Sequence, residues 1–191
     1  MKGEYDFCFC IDHTINIMIL TRNKIYEEYL NKKIDINPFN KKNLSTNSYD
    51  LSLFPELIFY TQDVLDPKLD NPYKKIKIPP EGLKLNKGEF CLGASMEVIG
   101  SDFYVPIIHG KSGIARLGLF VHVTADLIDI GYKGRITFQF MPTEDVVVYP
   151  NMSIGQMTFW QPLGEITLYD GKYQNGKGPA TSKTYLDYEN D

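Results

Sequence analysis

The chain has 191 residues, of which 43% are hydrophobic and 23% charged, and its formal net charge is −4. That size suits one domain with a proper core, and the acidic balance gives no basic face for coating nucleic acid. No apolar run is long enough to span a membrane, so neither nucleic acid nor a membrane is expected as a partner.

At the N-terminus Glu4, Asp6 and Asp12 interrupt any apolar core, and no small-residue cleavage site follows, so no signal peptide is expected. Cys8, Cys10 and Cys91 are an odd set without disulfide-framework spacing, which points to a reduced, cytoplasmic setting. Cys8-Phe9-Cys10 reads as alternation in a strand in preference to a metal site. Thr21 can cap a helix running to about Lys32, with Ile25, Tyr26, Tyr29 and Leu30 on its inner face and Glu27 and Glu28 outside. Pro38 limits its extension.

Beyond it, short aromatic and β-branched runs alternate with Gly, Pro, Asn and Asp clusters. The expected strands are Leu57–Tyr60, Phe90–Leu92, Phe103–Ile108, Phe120–Thr124, Arg135–Phe140, Val146–Tyr149 and Gln156–Trp160. Many short strands predict a mainly β domain, a jelly-roll or distorted barrel, with one short helix. From Tyr169 to Asp191 the chain is rich in Gly, Lys and Ser, which predicts a disordered end or a mobile flap.

The candidates for chemistry cluster between Gly110 and Phe140. Zinc-type deamination needs H-x-E with P-C-x-x-C, and no G-x-S-x-G elbow serves a serine hydrolase; the chain has none of these patterns. Hydrolysis would therefore rest on a carboxylate activating water. Gly110-Lys111-Ser112-Gly113 is a Gly-bounded turn whose amides, cation and hydroxyl suit a phosphate as well as a plain surface turn. Arg116 lies in the apolar string Ile114–Phe120, where a guanidinium needs a partner: a phosphate, or a carboxylate such as Asp129 or Asp50. Asp129 precedes Ile130-Gly131-Tyr132-Lys133-Gly134, a hairpin-like connection. The carboxylate either orients a water there or merely starts the turn. Tyr132 could stack on a sugar or base. Gln139 falls on the opposite face of its strand from Phe138 and Phe140.

Taken together, these segments resemble the dCTP deaminase/dUTPase superfamily over nearly the whole chain. The resemblance rests on Asn47-Ser48-Tyr49-Asp50-Leu51, Gly110 to Gly118, Leu127 to Ile136, Asn151 to Met157, and the tail with Gly171-Lys172-Tyr173-Gln174, Gly178-Pro179 and Ser182. It divides the chain into an N-terminal extension 1–17, a β domain 18–168, and a flap 169–191 that closes over the nucleotide.

The resemblance implies a homotrimer with sites between subunits, a pyrimidine deoxynucleoside triphosphate as ligand, and Mg2+ held through the phosphates, with Asp50 reaching it through a water. Lys111, Ser112, Gly113 and Arg116 would hold the triphosphate, helped by Tyr169 and Lys172. Asp129 would activate water, Tyr132 would lie near the deoxyribose, and Thr137, Gln139 and Gln156 would complete the nucleotide contacts. The pyrimidine edge would be read largely by the backbone of Ile136–Phe140.

Three departures bear on the reaction. Deaminase members carry glutamate at Gln139, and an amide cannot cycle a proton. Lys111 replaces an arginine, and Gly176 replaces a glutamine. The leading expectation is therefore hydrolysis of dUTP to dUMP and pyrophosphate. The alternatives are dCTP deamination, including on a modified pyrimidine nucleotide, and a catalytically silent nucleotide-binding homologue.

Overall fold

The computed structural model describes residues 18–122 and 124–189. The extension 1–17, with Cys8 and Cys10, lies outside the described residues. The elements in chain order are α1 (Arg22–Leu30), β1 (Asp35–Asn37), β2 (Tyr49–Ser52), β3 (Glu56–Tyr60), β4 (Tyr73–Lys77), β5 (Leu83–Leu85), β6 (Cys91–Gly100) and β7 (Val105–Gly110). There follow α2 (Ser112–Ala115), β8 (Leu119–Phe120), β9 (Lys133–Pro142), β10 (Val146–Val148) and β11 (Ser153–Trp160).

The strands pair antiparallel into three sheets. The largest runs β4-β3-β6-β9-β8 with β1 added on β6; the others are β2-β11-β7 and β10-β5. The fold is mainly β, as expected, and its hydrogen-bonded sheets do not close into one continuous barrel. Six of the seven predicted strands are found, each with shifted ends, and Phe90–Leu92 becomes Cys91–Gly100; of Phe120–Thr124 only Phe120 lies in a strand among the described residues. The charged strand Tyr73–Lys77 carries no alternating apolar signal and exists because β3 holds its backbone.

Strand β9 shows how the core forms. Gly134, Ile136, Phe138 and Phe140 are buried, while Arg135, Thr137, Gln139 and Met141 alternate with them on the other face. This is the period-2 pattern of a strand with one face in the core. Phe138 and Phe140 lie 5.8 Å apart between ring centres, in one cluster with Leu51, Leu57, Ile154 and Phe159.

The helix differs from its predicted amphipathic face. Leu30 is 59% exposed and Glu28 only 2%. Glu28 goes inward because Lys24 and Lys33 bring ammonium groups to 2.8 and 3.5 Å. The Lys24 hydrogen bond holds the carboxyl below its ordinary range against the cost of burial. Thr21 stands at the N-cap, but its side chain makes no capping bond.

Phe138→Ala should leave a cavity where the sheets meet and cost about 3–5 kcal/mol. Equilibrium denaturation of the variant against the parent measures this; a loss below about 1 kcal/mol would mean the site is not part of the core.

Candidate active site

A cavity of about 840 Å³ lies on the outer face of the largest sheet, beneath the C-terminal tail. Its floor is the non-core face of the strands: Glu56 and Tyr60 on β3, Leu92 on β6, and Arg135, Thr137 and Gln139 on β9. The roof is the tail from Tyr173 to Lys183, and one wall is the segment that carries Asp129 and Tyr132.

That segment is a corner, not the hairpin the sequence suggested. Leu127 bridges Ile107 on β7, whereas β9 pairs with β6 and β8. Its turn closes through the Tyr132 N–H donated to the Asp129 carbonyl at 3.1 Å. Gly131, at φ 90, takes a left-handed backbone, and a Cβ there would sit 2.8 Å from the Tyr169 nitrogen. The corner is therefore pressed against the start of the tail, and Tyr169 N–H donates to the Ile130 carbonyl at 2.8 Å. Asp129 is exposed at the rim. Burial pushes the Tyr132 phenol up to about 12, and its hydroxyl donates to the Arg135 carbonyl at 2.8 Å.

The tail is stitched down along its length, not loose as its composition suggested. The Arg135 N–H donates to the Gly176 carbonyl at 2.8 Å and the Asn175 N–H to the Lys133 carbonyl at 3.0 Å. The Gln174 amide donates to the Gly131 carbonyl and accepts from Lys133 N–H. Farther on, Ala180 N–H donates to the Thr137 hydroxyl at 3.2 Å, and Ser182 N–H to the Tyr60 hydroxyl at 3.0 Å. A polar, Gly-rich segment has few apolar groups to bury, so main-chain hydrogen bonds hold it instead.

One consequence concerns the exposed edge of β9. Backbone groups of successive strand residues point to alternate edges. Arg135 and Gln139 direct their N–H groups away from β6, to Gly176 and to Val121 at 2.8 and 3.2 Å. Thr137, midway between them, directs its backbone groups to the same edge.

The structure thus brings Asp129, Tyr132, Thr137, Gln139 and Tyr169 around one cavity. It does not bring the other predicted residues there. Lys111 pairs with Asp50 and donates to the Ser153 hydroxyl at 3.0 Å. Ser112 and Gly113 lie on α2, with open space around Gly113. Arg116 is exposed, correcting the expectation of a buried guanidinium: its apolar string folds as a short surface helix and turn, and Asp50 is taken by Lys111. Gln156 sits on β11 opposite Asp50 and His109, near the Ser48 hydroxyl at 3.4 Å. Lys172 pairs with Asp187.

The sequence reading missed His122, Arg135, Lys177 and Lys183, which also line the cavity. The pairing of the Phe120 and Gln139 strands is the signal that would have found His122. Arg135 donates to the Ser95 carbonyl at 3.1 Å and stacks 4.6 Å from the Phe54 ring centre. Among the described residues no group of three His, Cys, Asp or Glu side chains converges as a metal cage, and no helix is long and apolar enough to cross a membrane.

Gly176 explains itself sterically. A Cβ there would meet the Tyr132 hydroxyl at 2.8 Å and the Arg135 carbonyl at 3.0 Å. Gly176→Gln should therefore lift the tail from β9 while leaving the core intact. Hydrogen exchange should then rise across residues 173–183 by at least about tenfold, which corresponds to about 1.4 kcal/mol; unchanged protection would overturn the close-approach account.

Comparison with known proteins bears on the family and the fold. The family model described as dCTP deaminase-like matches residues 19–162. A Clostridium beijerinckii protein named "dCTP deaminase, dUMP-forming" is 44% identical over 173 residues, covering 90% of this chain and 99% of the relative. A Clostridium acetobutylicum protein of the same name is 41% identical over 174 residues, covering 91% of this chain and 100% of the relative. Among solved structures, a 2'-deoxycytidine 5'-triphosphate deaminase from Agrobacterium tumefaciens has a TM-score of 0.62 at 18% identity. It covers 76% of this chain and 49% of its own, a likeness of fold. With a family model matched across the β domain and relatives matched along 90% of its length, the chain belongs to the dCTP deaminase-like family, within the dCTP deaminase/dUTPase superfamily of enzymes.

Proposed function

We propose that the cavity beneath the tail binds a pyrimidine deoxynucleoside triphosphate and that the chain converts dCTP to dUMP. The observation that carries this is the convergence of Asp129, Tyr132, Thr137, Gln139 and Tyr169 on one cavity. The 40–44% identity to relatives named for that conversion supports it over dUTP hydrolysis alone.

The Thr137 backbone reads the pyrimidine edge, with Gln139 beside it, and Tyr132 packs toward the sugar. Asp129, exposed at the rim, orients the water that attacks the α-phosphate; a water-borne oxygen bonds to phosphorus as pyrophosphate leaves. Lys177 and Lys183 supply charge on the tail side. Lys111, Ser112, Gly113, Arg116 and Gln156 lie elsewhere on the same chain and reach a nucleotide only from a neighbouring copy. This supports a homotrimer with sites between subunits. Mg2+ prefers substrate phosphates plus one or two carboxylates and retained waters. Asp50 would be an outer contact to such an ion once released from Lys111. Such an ion would neutralise charge on the phosphates.

A second reading, hydrolysis of dUTP without deamination, is favoured by one observation: Gln139 is an amide in the place where family members that deaminate carry an acid. With magnesium and dCTP, the first reading expects ammonia and pyrophosphate in equal amounts. Pyrophosphate from dUTP without ammonia from dCTP would establish the second, and binding without either product a silent homologue. Asp129→Asn should lower pyrophosphate release by about 10²–10⁴-fold; unchanged release would remove Asp129 as the water-orienting group.

A further inference from the structure

Cytosine deamination needs one group that both takes and gives protons. Water must lose a proton as it attacks C4, N3 must gain one, and the departing amine must gain another. An amide neither releases nor binds a proton in the working range, so Gln139 cannot serve.

The cavity holds a second candidate at the same place. The Gln139 N–H donates to the Val121 carbonyl at 3.2 Å, which puts the next residue, His122, beside Gln139, and both side chains line the cavity. The His122 Nε2 meets the Ala125 carbonyl. A carbonyl only accepts, so Nε2 carries the proton and Nδ1 keeps its lone pair. That Nδ1 is buried and has no partner among the described residues. A buried acceptor left unmet is costly, and a ligand or water hydrogen relieves the cost. Burial pushes the imidazole below its ordinary range; the Ala125 hydrogen bond and Asp126 oppose that push and His109 adds to it. The neutral, proton-accepting ring is therefore favoured at neutral pH.

We propose that His122 is the proton carrier for deamination in this chain, replacing the carboxylate absent at position 139. The inference rests on the dCTP-to-dUMP reading of the cavity. An O–H bond of water breaks to Nδ1 as its oxygen bonds to C4, and the C4=N3 electron pair settles on N3. Nδ1 passes that proton to N3. It then takes the proton of the new C4 hydroxyl and delivers it to the exocyclic amine. The C4–N bond breaks with its electron pair, ammonia leaves, and the C4 carbonyl forms. Gln139 contributes a hydrogen bond that holds the ring edge in place.

The test uses His122→Asn, His122→Gln and the double variant His122→Asn/Gln139→Glu, each with dCTP and magnesium, with ammonia as the readout and thermal melts identifying folded variants. His122→Asn, or His122→Gln if only that variant folds, should lose about 10²–10⁴-fold in ammonia release, and the restored carboxylate should return at least a tenth of the parent rate. A purely structural role for His122 would not be rescued by a carboxylate on the neighbouring strand. Ammonia from the parent that persists undiminished in a folded His122 variant would overturn this inference alone. No ammonia from the parent would overturn the deamination reading beneath it.

Discussion

The pleat of one strand sets most of this molecule's arrangement. Along β9, residues alternate between the core and the cavity floor, so Phe138 and Phe140 anchor the sheet while Thr137 and Gln139 face the cavity. Core packing thereby fixes the cavity face, because a slip of one residue would exchange the two faces. Neighbouring structure guards the register. The ladder between β6 and β9 is interrupted between Ala94 and Val98, and the Ser95 hydroxyl takes the Ile136 N–H at 2.8 Å. The hydroxyl fills the place of a missing main-chain acceptor, and the same irregularity offers the Ser95 carbonyl to Arg135. Site geometry here is a by-product of satisfying a buried backbone.

The tail depends on that strand in turn. It is held by backbone groups of β9, by the Thr137 and Tyr60 hydroxyls and by the Gln174 amide on the Asp129 corner, and its approach is limited by side-chain volume at Gly134 and Gly176. A Cβ on Gly134 would lie 2.6 Å from both the Gly176 nitrogen and the Tyr132 hydroxyl. Such a contact has little apolar area and many exposed hydrogen bonds, the character of an element that opens at low free energy. A roof of this kind admits a ligand without disturbing the core. The cationic side chains of α2 and its flanks do not belong to this roof, and Lys111 is meanwhile held by Asp50. In a trimer, that ion pair would compete with phosphate for the same ammonium.

The sequence made some of this legible and concealed the rest for identifiable reasons. Alternation in Ile136–Phe140 and the carboxylate-glycine corner at Asp129 are local signals, and both survive in the structure with the corner re-routed. Periodicity misplaces Arg116 and Glu28 because it reports average polarity. A four-residue helix can carry an apolar string at the surface, and two lysines can carry a glutamate inside. His122 was hidden because its meaning depends on strand pairing across the Asp129 corner. Composition leaves the tail as a disordered end or a mobile flap because it counts apolar side chains, whereas main-chain hydrogen bonds and the Gln174 amide hold this segment in place.

Gln139 gains a physical reason when both steps occur in one cavity. An ionised carboxylate only accepts hydrogen bonds, so it favours the 4-amino group of a cytosine and repels the 4-keto oxygen of the uracil that deamination makes. A glutamine offers one acceptor and one paired donor, and a half-turn of its last torsion presents either to the ring. It can hold both the amino substrate and the keto intermediate. A cavity that must keep dUTP after deamination, until the α-phosphate is cleaved, gains from that indifference. What the amide gives up is proton transfer, and that is the one capacity an imidazole beside it can restore. On this reading position 139 retains the nucleotide and position 122 moves the protons, two tasks that a single carboxylate would have to combine.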